Sequence, residues 1–100
     1  MANLAVELGQ LRLKNPVIVA SGTYASGKEY AQLVDLNQLG ALTVKTLTLK
    51  PVAGNKPPRI WETPSGLLNS IGLQNDGIDS WLENDLPFLK KFNLPIIASV

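Results

Sequence analysis

The chain's most useful chemical groups are Ser21, Lys45, Thr46, Ser99 and the run Asn69-Ser70-Ile71-Gly72-Leu73. The first four follow short apolar runs: 16–20 leads to Ser21-Gly22, 41–44 to Lys45-Thr46, and 96–98 to Ser99. If those runs are parallel strands, their polar groups converge at the carboxyl ends of one sheet. That is where ligands of α/β folds bind. A fixed cation at such a rim suits a developing anion, such as a reduced ring or a carboxylate. The same lysine could also snorkel out of a sheet end. Asn69 offers one acceptor and two donors, and Gly72 lets backbone N–H groups face a ligand. Those residues could equally shape a turn and nothing more. Arg59, after Pro57-Pro58, is either a carboxylate partner or a surface cation.

Other candidates are weaker. Residues 22–28 fit G-x-x-x-x-G-K, but Glu29 stands where a P-loop needs Ser or Thr for magnesium, and a carboxylate there repels phosphate. Trp61 and Trp81 are expected to pack. Asp76, Asp79, Glu83 and Asp85 read as a helix start and its solvated face. The chain has no Cys and no His, which excludes a disulfide, a thiol nucleophile, a zinc-thiolate centre, a His-ligated metal and a Ser-His-Asp triad within it. No metal site is expected. A net charge of +1 supplies no field for gathering phosphates, so no nucleic-acid surface is expected. The start has no basic segment followed by a long apolar one, and no apolar run reaches about 18 residues. The expectation is a cytoplasmic protein without a membrane span.

Positioning these groups requires strands that alternate with helices. Two alternating runs around Gly9-Gln10 predict a type II′ hairpin over residues 4–13. The continuous apolar run 16–20 predicts a strand buried on both faces. Apolar residues Tyr30, Leu33, Val34, Leu36 and Leu39 predict a helix over 26–39, stopped by Gly40. A second strand follows over 41–44. The Pro-, Gly- and Asn-rich stretch 47–75 reads as a long functional loop, with a hairpin around Thr63-Pro64-Ser65. A helix starts at Asp76 or Asp79 and runs to about Phe92, interrupted at Pro87. A third strand covers 96–98. Strands alternating with helices imply a parallel sheet with right-handed crossovers. Three strands and two helices leave sheet faces bare, so residues 1–100 are expected to begin a larger α/β domain, and a (β/α)₈ barrel takes about 250 residues.

Several phrases then become specific when taken together. They are Asn15-Pro16-Val17, Ala20-Ser21-Gly22-Thr23, Lys45-Thr46, Gly54-Asn55-Lys56-Pro57-Pro58-Arg59 and Asn69-Ser70-Ile71-Gly72-Leu73-Gln74-Asn75. Their order and intervals resemble the amino-terminal third of class 1 dihydroorotate dehydrogenases. Gln74, where class 1A members tend to carry Pro, resembles class 1B, the catalytic subunit of NAD-linked bacterial enzymes. The resemblance implies a single FMN-binding (β/α)₈ TIM-barrel domain, of which residues 1–100 are the amino-terminal part: three strands and two helices after a β-hairpin. It implies de novo pyrimidine biosynthesis, with dihydroorotate oxidised to orotate by hydride transfer to FMN. By the same resemblance Ser21, Lys45, Thr46 and Ser99 contact FMN. Lys45, Asn69, Ser70, Ile71, Gly72 and Leu73 hold the substrate. Ser99 departs from the Asn common at that place, and a hydroxyl has fewer donors and less reach. The family's cysteine base would lie beyond Val100, so no catalytic residue falls in this chain and the segment alone is expected to be inactive. The implied partners are an iron–sulfur FAD electron-transfer subunit and further copies, as a homodimer or heterotetramer. Two alternatives stay open: another flavin- or phosphate-binding barrel oxidoreductase, and a non-catalytic βαβ interaction module.

Overall fold

A computed structural model describes residues 1–100 as a mixed α/β structure. Along the chain run β1 (Val6–Leu8), β2 (Leu11–Leu13), β3 (Ile18–Val19), two 3₁₀ turns, β4 (Ala41–Thr43), β5 (Ile60–Thr63), β6 (Gly66–Asn69), a broken helix and β7 (Ile96–Ile97). β1 and β2 pair antiparallel, with Val6 opposite Leu13. Gly9 takes the left-handed φ of 60° at the first turn position while Gln10 does not, which is the expected type II′ pattern. β3, β4 and β7 form a parallel sheet in that order, with Ile18 beside Ala41 and Leu42 beside Ile96. The alternation of β4 sends Leu42 and Val44 into a core with Leu36, Leu47, Trp81, Leu89 and Leu94. No helix is long and apolar enough to cross a membrane.

The helix expected over 26–39 is replaced by 3₁₀ turns at Tyr30–Gln32 and Leu36–Gln38. Three local causes account for this. Gly27 is buried at φ 88°, where an added Cβ would stand 3.1 Å from Leu42 and from Leu89, so the chain enters the segment outside helical geometry. Asp35 then breaks any helix with an extended ψ of 107° while its side chain accepts from the Asn37 N–H. The apolar stripe also stays largely outside, since Leu36 is fully buried but Leu33 is 79% exposed. Without packing, a short helix has too little to stabilise it.

The second helix is present but broken. It comprises α1 (Gly77–Ser80), a π-helical turn (Trp81–Asp85) and α2 (Leu86–Leu89). Pro87 has no N–H to give, so the regular ladder fails beside it. One residue earlier, the Leu86 N–H reaches five residues back to the Trp81 carbonyl. Trp81 is buried in the core as expected, whereas Trp61 is 67% exposed on β5 and packs against no core.

The amino ends of the three strands are closed by side chains. Lys14 Nζ donates to the carbonyls of Asn37 and Asn93. Asn15 donates to Gln38 O at 2.8 Å and accepts from the Val17 N–H at 3.0 Å. The Asn93 N–H donates to Asn37 Oδ1 at 2.7 Å. Gly40 lies against Asn15 so closely that a Cβ would stand 2.0 Å from its carbonyl oxygen.

Candidate functional site

The opposite, carboxyl ends of the sheet carry the predicted polar groups. Ser21 Oγ donates to Val44 O at 3.1 Å and stands 3.5 Å from Thr46 Oγ1. Thr46 Oγ1 lies 3.0 Å from Ser99 Oγ. Parallel pairing explains the row: β3, β4 and β7 end side by side, so hydroxyls 25 and 53 residues apart in sequence become neighbours. The backbone continues the same order, with the Leu47 N–H bonded to Ser99 O at 2.9 Å.

Lys45 stands next to this row. Its Nζ and Cδ lie 3.5 Å from where a Cβ on Gly22 would be, so Gly22 leaves the ammonium its space. The Lys45 N–H donates to Ala25 O at 3.1 Å, which ties the loop after β3 to the end of β4. Lys45 is half-buried, and its ammonium makes no hydrogen bond or ion pair within the chain; the ion pair present is Lys28 with Asp85 at 2.7 Å. That pair also disposes of the P-loop-like pattern, since its lysine is held by a carboxylate and its second glycine is core packing. Asp85 is thus half-buried and paired rather than on a solvated face. Lys45 lines a cleft of about 470 Å³ with Gly22, Glu29, Ile71, Asn75 and Trp81 among its walls. The buried Trp81 Nε1–H has no acceptor in the chain.

Residues 47–75, expected as a loop with a hairpin in it, are a folded-back ribbon. β5 and β6 pair antiparallel from Ile60 opposite Asn69 to Thr63 opposite Gly66, with Pro64-Ser65 as the turn. Below the strands the two plies stay together. The Ser70 N–H donates to Arg59 O at 2.8 Å, the Asn55 N–H to Ile71 O at 2.9 Å, and Val52 and Asn75 exchange bonds of 2.9 and 3.0 Å. Asn75 fixes the base. Its Oδ1 accepts from the Thr48 N–H at 3.2 Å and the Gly77 N–H at 2.9 Å, and its amide donates to Leu73 O at 2.7 Å. Asn75, rather than Asp76, therefore caps the helix start.

Within this ribbon Gly72 and Leu73 both take left-handed φ values, 80° and 55°. For leucine that conformation costs roughly 1–2 kcal/mol. The N–H groups of Ile71, Gly72, Leu73 and Gln74 donate to no acceptor in the chain, in contrast to those of Ser70 and Asn75 on either side. Free, adjacent backbone donors are an anion-binding feature.

The structure brings Ser21, Thr46 and Ser99 into one row and puts Lys45 and Ile71 on one cleft. Asn69 and Ser70 line a separate shallow depression of about 130 Å³ beside Arg59 and Trp61. Arg59 is half-buried and bonded to neutral acceptors of the chain, not a free surface cation. Its Nε donates to Asn55 O at 2.7 Å, Nη2 to Ala53 O at 3.0 Å, and Nη1 to Gln74 Oε1.

The family model described as dihydroorotate dehydrogenase matches residues 3–100. The chain belongs to the dihydroorotate dehydrogenase family. It is 56% identical over 98 residues to a protein of Thermoanaerobacter sp. (strain X514), covering 98% of this chain and 32% of that protein. A relative in Thermodesulfovibrio yellowstonii is 58% identical over 99 residues, covering 99% of this chain and 33% of the relative. One in Geobacillus sp. (strain WCH70) is 54% identical over 100 residues, covering 100% and 32%. All three are named dihydroorotate dehydrogenase B (NAD(+)), catalytic subunit. The chain spans about a third of the length of these relatives. Both the family and the B-type resemblance read from Gln74 agree with those names.

Proposed function

We propose that the full-length protein is the catalytic subunit of an NAD-linked dihydroorotate dehydrogenase of pyrimidine biosynthesis. Residues 1–100 form the amino-terminal part of its single FMN-binding (β/α)₈ barrel domain, beginning with the hairpin and the first three barrel strands. The observation that carries this reading is the Lys45 ammonium, which makes no ion pair and, with Ile71, lines a cleft beside the strand ends that carry the hydroxyl row.

The donor set suits FMN. Three hydroxyls that can both give and accept hydrogen bonds match a ring edge of alternating nitrogens and carbonyls, and Gly22 keeps the approach to Lys45 open. FMN, when bound, supplies the acceptor for the hydride that leaves dihydroorotate. Ser21, Thr46 and Ser99 hold the ring edge from the strand ends. Lys45 offsets negative charge as it develops on the ring and also meets the substrate. The free N–H groups of Ile71, Gly72 and Leu73 hold the substrate's carboxylate, while Asn69 and Ser70, on the separate depression of the ribbon, are assigned to the substrate ring by the family resemblance alone. Their shared task is orientation, which supplies much of the advantage in bringing two reactants together. The cysteine base, the FMN phosphate site and the surface for an iron–sulfur FAD subunit belong to the rest of the protein, as does its assembly as a homodimer or heterotetramer.

The test is an absorption spectrum of purified full-length protein, followed by anaerobic titration with dihydroorotate. A flavin spectrum that bleaches on titration supports the reading. Protein without flavin, or a flavin that dihydroorotate leaves oxidised, overturns it.

A further inference from the structure

Arg59 bonds the ribbon that carries the free amides. Its guanidinium reaches three neutral acceptors on two plies of the ribbon: the carbonyls of Ala53 and Asn55 on one, and the Gln74 side chain on the other. No carboxylate pairs with it. The plies are pressed together so closely that Gly54 and Gly72 have no room for a side chain. A Cβ on Gly54 would stand 2.5 Å from Ile71 O, and one on Gly72 would stand 2.7 Å from the Asn55 nitrogen. The Asn55 side-chain amide also donates to Ser70 O and Ser70 Oγ. Residues 70, 71 and 74 are therefore bonded to the facing ply, while the N–H groups of 71–74 stay free.

We propose that Arg59 and Gln74 form a latch that positions residues 71–73 for an anionic substrate, with Gln74 as its dedicated acceptor. Leu73 in a left-handed conformation resists this shape. A planar guanidinium with donors on three nitrogens can bond three fixed oxygens at once, and an ammonium cannot reproduce that fork. Arg59 acts through the backbone that it holds, as a positioning residue. This inference rests on the proposed role of 69–73 in holding the substrate.

The experiment uses full-length protein and the variants Gln74→Ala, Arg59→Lys and Gln74→Glu. Flavin content, orotate affinity from the perturbed flavin spectrum, and amide hydrogen exchange over 69–75 without orotate are measured for each. Gln74→Ala and Arg59→Lys are expected to weaken orotate about tenfold, the loss of one charge-assisted bond, with flavin content unchanged. KM for dihydroorotate should rise by more than kcat falls, and exchange over 69–75 should quicken. Gln74→Glu keeps an acceptor for Arg59 and should stay within about twofold of the parent. Unchanged exchange in Gln74→Ala overturns the latch whether or not orotate binds. Faster exchange with unaltered orotate affinity overturns its role toward substrate. Parent protein with flavin that binds no orotate fails the proposed function, and the exchange data then judge the latch as a loop-holding device by themselves.

Discussion

The two ends of the parallel sheet are built from similar residues to opposite effect. At the amino end, Lys14, Asn15, Asn37 and Asn93 bond one another and the backbone, and Gly40 lies against Asn15 with no room for a methyl group. At the carboxyl end, the Lys45 ammonium and the amides of Ile71, Gly72 and Leu73 have no partner in the chain. A lysine in a fold is thus uninformative by type. What distinguishes Lys14 from Lys45 is whether acceptors have been placed around it. In α/β barrels the amino face serves stability and the carboxyl face serves chemistry, and the proposed function assigns the two ends of this sheet in the same way.

The sharpest way to break this contrast is Gly40→Ala. A methyl group 2.0 Å from Asn15 O forces the backbone apart, so a loss of about 3 kcal/mol or more is expected in denaturant unfolding of the full-length protein. Lys45→Ala comes next and should act on the other quantity. Flavin reduction by dihydroorotate, followed by stopped-flow absorbance, is expected to slow about a hundredfold with unfolding unchanged. Asn69→Ala should weaken orotate about tenfold while FMN is retained. Equal loss of both ligands would remove Asn69 from the substrate. Lys14→Ala reverses the Lys45 result: stability falls by about 1 kcal/mol or less, since the site is exposed, and the reduction rate holds. Ser99→Asn is the gentlest. An amide beside Thr46 gains a donor, and FMN should bind a few-fold tighter (about 1 kcal/mol) in equilibrium dialysis. If Lys14→Ala slows reduction as much as Lys45→Ala does, the two ends are not divided in this way.

Local pattern revealed what depends on local chemistry. The hairpin at Gly9-Gln10 and the turn at Pro64-Ser65 follow from turn residues between alternating runs, and the sheet follows from three apolar runs. The strand-end positions of Ser21, Thr46 and Ser99 follow from the same runs, and so does the row they form. The break before Pro87 is a property of proline. Most of the missed features depend on partners far away in sequence. Residues 26–39 carry helical spacing, but the burial needed to stabilise a helix is absent around Leu33. Arg59 looks like a surface cation because its acceptors Gln74 and Ala53 are carried by two different plies. The pairing of 52–59 with 70–75 depends on Gly54 and Gly72 permitting backbone on backbone, which periodicity does not report. A hint was present in the clustering of Gly54-Asn55 and Gly72 on either side of a hairpin, since glycine admits such close approach.

Asn75 joins Thr48 and Leu73, the two sides of the ribbon's base, to the start of α1 through one side chain. This knot sets where the sequence can change length. Residues added at Pro64-Ser65 extend the free tip and leave the base in register. One residue added between Asn55 and Arg59 would put the bonds of Asn55 and Val52 to 71–75 out of step with those of Arg59 and β5 to 66–70. Natural length variation among homologous chains should therefore gather at the tip and be absent from the base.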